Sequence, residues 1–210
     1  TATLTLINPN ACFLYSNETL IEQPAEIGYL TLRHTRQATA FIAEAAAAPR
    51  PWFLYLSYPN AHTALFAMDE NRGRSAHGLY GDNVEEMDWS VGEVLAALDA
   101  SGERDDTVVY FASDNGPFRE ELEEGGSCGY APVLSPSTPR VGATADAPAR
   151  ATTQLRGAKG QTWECGVRVP GILSYPARWA GGRVAHEATS VMDVLPTIVE
   201  LVDASGTSGG

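Results

Sequence analysis

The 210-residue chain carries a formal net charge of −12 and a sequence pI near 4.7, which excludes the basic stripe a nucleic-acid module requires. With 44% hydrophobic and 19% charged residues the composition is that of a folded globular protein, so disorder is confined to segments. The length suffices for one good core and one domain or slightly more.

In chain order, the sequence starts at Thr1 without a basic, apolar, small-residue leader, and it reads as an internal fragment with a cut or processed left edge. Asn17-Glu18-Thr19 is a glycosylation sequon, a common chance pattern. Apolar residues at Leu30, Ala38, Phe41, Ile42 and Ala45 predict a helix over 30–48, stopped by Pro49 and Pro51. The best apolar run, 41–48, is interrupted by Glu44 and is far shorter than the roughly 18 to 20 residues a bilayer span needs. The aromatic and aliphatic run at 52–58 predicts a strand buried on both faces, with 59–63 as its loop.

A second helix is predicted over 82–100, with Val84, Met87, Val91, Val94, Leu95 and Leu98 on one stripe and Ser101-Gly102 at its end. Glu85, Glu86 and Asp88 read as its solvated or loop-facing side. Residues 107–112 form another buried-strand pattern, followed directly by Ser113-Asp114-Asn115-Gly116. Residues 119–153 lack either periodicity and read as a long flexible surface loop. Residues 166–175 predict a strand edged by Pro170, residues 192–202 a last helix, and 204–210 a frayed Gly- and Ser-rich tail. Alternating helices and strands imply an α/β fold with a parallel or mixed sheet. Cys12, Cys128 and Cys165 are too few for a disulfide framework and fit no CxxC metal site, so they leave the redox compartment open.

In such sheets ligands sit outside the carboxyl ends of the strands, where Asp114, Asn115 and His62 fall. Carboxylate and amide oxygens suit hard cations, although Asp-Asn-Gly by itself reads first as a turn and His62 by itself as a structural residue. Lys159 is the chain's only lysine beside 13 arginines, and it lies in the Gly-rich run Arg156-Gly157-Ala158-Lys159-Gly160. A compact ammonium kept where arginine serves elsewhere suggests a point charge with a task. His34, His77 and His186 read as surface or structural residues, and Trp89 and Trp163 as packing residues, Trp163 with the option of lining a pocket near Lys159.

Several blocks together carry a resemblance: 53–58 with His62-Thr63-Ala64-Leu65-Phe66, His77-Gly78-Leu79-Tyr80-Gly81-Asp82, Val84-Glu85-Glu86-Met87-Asp88-Trp89-Ser90-Val91-Gly92, and Ser113-Asp114-Asn115-Gly116. Arg156-Gly157-Ala158-Lys159-Gly160, Trp163-Glu164, Val167-Arg168-Val169-Pro170-Gly171 and the stretch from Asp193 to Thr197 continue it in the same order. The chain resembles the sulfatase family, in its steryl-sulfatase and arylsulfatase branch, over nearly everything outside 119–153. That resemblance implies an incomplete alkaline-phosphatase-like α/β domain over 1–203, with a mixed central sheet flanked by helices, and hydrolysis of aryl, steroid or glycan sulfate monoesters. It implies one Ca²⁺ held in part by Asp114 and Asn115, and His62 and Lys159 as catalytic contacts to the sulfate. It also implies secretory-pathway passage and, in some relatives, membrane anchoring through an upstream segment.

No Cys-x-Pro-Ser-Arg run surrounds any cysteine, so the formylglycine nucleophile the family uses lies outside this chain, and the chain alone is expected to be inactive. The family's amino-terminal aspartate pair is absent too, and Cys165 stands where relatives usually have Gly. Two other readings stay open: a phosphodiesterase or phosphomutase on the same scaffold, and a noncatalytic calcium-binding protein derived from a sulfatase.

Overall fold

The computed structural model describes residues 13–118 and 155–206, with side chains through 203. The loop expected over 119–153, Cys12, Cys128 and the end of the tail lie outside the described residues. The chain divides into two compact units, 1–177 and 178–210.

In the first unit a short antiparallel hairpin, β1 (Leu14–Ser16) with β2 (Thr19–Glu22), turns at Asn17, whose φ of 53° is the left-handed geometry that Asn tolerates. Helix α1 (Leu30–Ala46) follows, built from Ala, Leu and Arg of high helical propensity. It stops three residues before Pro49, whose ring disfavours helical geometry in the residue before it. Helix α2 (Gly78–Ser101) ends on Gly102, whose φ of 76° lets its N–H reach back to the carbonyls of Leu98 and Asp99. The two helices pack through Ala38, Ile42 and Leu98, each at most 2% exposed, and the stretch 65–68 fills the same core.

The face of α2 that is buried differs from the expected apolar stripe. Asp82, Glu86 and Ser90, one turn apart, are almost wholly buried together with Asn83, while Val84, Met87, Val91, Val94 and Leu95 are half-buried. Polar groups can occupy that face because each finds partners. The Asp82 carboxylate accepts from the N–H groups of Gly73 and Ser75, both at 2.7 Å, and Glu86 accepts from Met68 N and Asn71 Nδ2 at 2.8 and 3.0 Å. Glu86 is therefore the loop-facing rather than the solvated alternative, and the second and third turns of the helix hold the segment 68–75.

The run 52–58 is extended but pairs with no strand among the described residues, and its side chains alternate. Trp52 packs edge-on to Phe41 at 5.9 Å, whereas Phe53 and Tyr55 are 72% and 79% exposed. The expected burial on both faces is thus corrected: helices cover one face, and no described residue supplies a second layer.

Strand β3 (Val109–Ala112) pairs antiparallel with β4 (Gly171–Ser174), Val109 opposite Ser174 and Ala112 opposite Gly171. An antiparallel pair is compatible with the mixed sheet expected from sequence, and β4 is shorter than expected because Glu164–Val167 form a helical turn, α3. In the second unit, α4 (Val194–Gly206) runs two residues beyond the expected onset of fraying. Its entry is fixed by a capping box in which Ser190 Oγ accepts from Met192 N and the Asp193 carboxylate accepts from Ser190 N.

Candidate functional site

The antiparallel β3–β4 pair sets the carboxyl end of β3 beside the amino end of β4, so the chain leaving β3 meets the chain approaching β4. Two backbone hydrogen bonds join them: Lys159 N donates to Pro117 O at 2.9 Å and Gly116 N donates to Gly166 O at 3.0 Å. Asp114 and Asn115 therefore share one cradle with Lys159, although 44 residues separate Asn115 from Lys159 in sequence. The contact is close enough to require glycine. A Cβ at Gly116 would lie 1.7 Å from Cys165 O, and one at Gly166 would lie 2.0 Å from Gln161 O.

The Lys159 turn is closed on itself by Gln161 N to Ala158 O at 3.0 Å and by Cys165 N to Arg156 O at 2.8 Å. Gly157, at φ 94°, lies against Trp163, and the Arg156 guanidinium stacks 3.5 Å from the Trp163 ring centroid. Trp163 thus holds the base of the turn, a role its sequence position alone did not disclose. The Lys159 Nζ stands 5.8 Å from the Phe118 ring centroid, and Cys165, fully buried, is disulfide-bonded.

Asp114 is exposed, and one of its carboxylate oxygens accepts from Asn115 N at 2.9 Å. Its other oxygen and the Asn115 amide oxygen have no hydrogen-bond donor among the described residues, and both are the hard donors that Ca²⁺ selects. Two such donors fit a calcium site in chemical type and make up part of the six to eight ligands that ion takes. No group of three or more metal-ligating side chains occurs among the described residues.

His62 lies on a separate exposed loop, with His62 N donating to Pro59 O at 3.2 Å. Its Nδ1 contacts the Thr63 carbonyl oxygen, which can only accept, so a hydrogen bond there requires the tautomer with hydrogen on Nδ1 and leaves Nε2 for another partner. No described hydrogen bond links this loop to the Asp114 cradle. Burial lowers the pKa of His34, whose Nδ1 has no partner, which fits a structural residue on α1. Burial by itself would raise the Asp82 carboxyl, but the N–H groups of Ser75, Gly73 and Arg74 and the charge of Arg72 outweigh it and hold the pKa below the usual value.

The backbone bonds thus bring the loop that carries Asp114 and Asn115 against the turn that carries Lys159, at the carboxyl end of a strand in an α/β scaffold, where such folds place their ligands. The Sulfatase family model matches residues 7–204, and the chain belongs to the sulfatase family. It is 42% identical over 196 residues to the steryl-sulfatase of Mus musculus, covering 93% of this chain and 28% of that protein. It is 37% identical over 188 residues to arylsulfatase H of Homo sapiens, covering 89% of this chain and 30% of that protein. Among solved structures it resembles the sulfatase PsFucS1 from Pseudoalteromonas sp., at TM-score 0.57 and 28% identity, covering 71% of this chain and 25% of that one. It also resembles Ps i-CgsB, solved in complex with k-i-k-neocarrahexaose, at TM-score 0.53 and 29% identity over 70% of this chain and 28% of that one. The chain spans under a third of the length of these relatives. Its fold is accordingly a partial alkaline-phosphatase-like α/β domain.

Proposed function

We propose that the protein is a sulfuric ester hydrolase of the arylsulfatase or steryl-sulfatase type, that residues 1–203 form part of its catalytic domain, and that the formylglycine nucleophile lies outside this chain. The observation that carries this reading is the pair of backbone hydrogen bonds seating the chain's only lysine beside Asp114 and Asn115. In this reading Asp114 and Asn115 supply two oxygen ligands to one Ca²⁺. When bound, that ion draws charge from sulfate oxygens as a Lewis acid.

Lys159 presents an ammonium to the same sulfate, where the half-buried turn strengthens its attraction for oxygens that gain charge as the S–O bond breaks. His62 donates the Nε2 proton to the departing alcohol oxygen, while its Nδ1–H stays on the Thr63 carbonyl and fixes the ring. Its exposure lets solvent return the proton after product leaves. The substrate is a sulfate monoester of an aryl, steroid or glycan alcohol. Passage through the secretory pathway fits the disulfide at Cys165 and the sequon at Asn17, since disulfides persist in oxidising compartments. Any membrane attachment of the intact protein would run through a segment outside this chain.

The complete, formylglycine-bearing enzyme is expected to hydrolyse an aryl sulfate far faster than a diaryl phosphate. Chelation of calcium should abolish the activity, and Asp114→Ala should raise the calcium concentration needed for half-maximal rate by at least about tenfold. The 210-residue chain alone should show no turnover. A preference for the phosphate diester, or sulfate hydrolysis unaffected by chelation and by Asp114→Ala, would overturn the assignment.

A further inference from the structure

The loop that carries His62 is tied to both helices by side chains that make no contact with substrate in the reading above. Thr31 Oγ1 of α1 donates to Asn60 Oδ1 at 3.1 Å, and Asn60 Nδ2 donates to the carbonyl of Asn83 on α2, also at 3.1 Å. Since the Asn83 carbonyl can only accept, the orientation of the Asn60 amide is fixed and the Thr31 hydroxyl must be the donor. Two residues earlier, Tyr58 is bonded to Ser90 Oγ at 2.8 Å, and Ser90 Oγ to Thr35 Oγ1 at 2.5 Å. Thr35 gives its own hydrogen to Thr31 O at 2.7 Å, so protons run from Tyr58 through Ser90 to Thr35. On the far side of His62, Asn83 Nδ2 donates to Phe66 O at 2.6 Å.

Thr31, Asn83 and Ser90 are wholly buried and Thr35 is 3% exposed, so these bonds form in a low-dielectric interior where each is strong and a missing partner is costly. An apolar pairing could have joined α1 to α2 at lower risk. What the polar network adds is a fixed direction for the backbone at residue 60, two residues before the imidazole.

We propose that Asn60, held between Thr31 and the Asn83 carbonyl, is a positioning residue that aims His62 at the leaving-group oxygen. This rests on the reading of His62 as the proton donor. A donor out of register harms esters of poor leaving groups far more than esters of good ones, because only the former need the proton. A purely structural loss lowers both alike.

The test is kcat of the complete enzyme on an alkyl sulfate and on 4-nitrophenyl sulfate for Asn60→Ala, Thr31→Val, Thr31→Ser and His62→Ala, with melting temperatures recorded for each. Asn60→Ala and Thr31→Val are expected to lower kcat on the alkyl ester by about 10- to 100-fold and on the nitrophenyl ester by under about threefold, with Thr31→Ser restoring the alkyl activity. If His62→Ala is selective for the alkyl ester but Asn60→Ala and Thr31→Val lower both rates equally or not at all, the positioning role is wrong and His62 keeps its function. If His62→Ala itself is unselective, the proton-donor reading fails and the positioning role falls with it. Should Asn60→Ala not fold, the Thr31→Val and Thr31→Ser pair decides by the same ratio.

Discussion

At Gly116 the absence of a side chain is what allows the Asp114–Asn115 loop and the Lys159 turn to touch. An alanine Cβ there would sit 1.7 Å from a backbone carbonyl, and backbone cannot rotate away as a side-chain end can. Gly116→Ala is therefore expected to cost about 3 kcal/mol, seen as a lower urea midpoint with unchanged slope, and to weaken calcium binding because Asn115 moves with it. An unchanged midpoint would mean that the two loops are not in contact in solution. The same residue shows how far sequence reaches. Asp114, Asn115, His62 and Lys159 could be singled out from sequence as candidates because each is a chemically distinctive residue in a patterned block. The glycines that let the two loops meet carry no signal of their own, since close approach is decided by chain segments distant in sequence. Asn60 was equally silent, because a single carboxamide in a loop announces no partner.

At the level of elements, α1 was read from its Ala- and Leu-rich period almost to its ends, because propensity and period agreed. Helix α2 was found but its buried face was not. Hydrophobic counting assigns burial to apolar stripes, and the 82–86–90 row is polar yet buried, with loop N–H groups bonding Asp82 and Glu86 Oε2, and the Thr35 hydroxyl of α1 bonding Ser90. That row has a pH signature. With a folded-state pKa below its unfolded value, Asp82 contributes stability that is fully present above the ordinary carboxylate pKa and is lost as pH falls through the depressed one. His34, held low by burial, acts in the same direction at milder acidity, because it must gain a charge that the folded state resists. Melting temperatures of the wild type should thus fall on acidification. Asp82→Asn should melt lower at pH 7 and lose less on going to about pH 3; an equal acid slope in the two proteins would remove Asp82 as the cause.

At the scale of the whole molecule, the 52–58 run departs from expectation by leaving one face uncovered among the described residues. The 52–58 run was read as a fully buried strand from its composition, and that composition matches a site with cover on both sides, whereas here Phe53 and Tyr55 face outward. With the chain spanning under a third of its relatives' length, this face is expected to make the isolated 210-residue protein bind the hydrophobic dye ANS. Replacing both residues with Ser should cut that binding at least about twofold without lowering the melting temperature. Dye binding unchanged by the substitutions would place the exposed apolar surface elsewhere.

The proposed mechanism requires four side chains from three chain segments to serve one sulfate. A crystal structure of the complete enzyme with calcium and a slowly hydrolysed sulfate ester measures this directly. Lys159 Nζ and His62 Nε2 should both lie within about 3.2 Å of oxygens of the same ester, and Asp114 and Asn115 oxygens within about 2.6 Å of the calcium beside it. Lys159 extended into solvent, or His62 far from the ester while the other three engage it, would contradict the account.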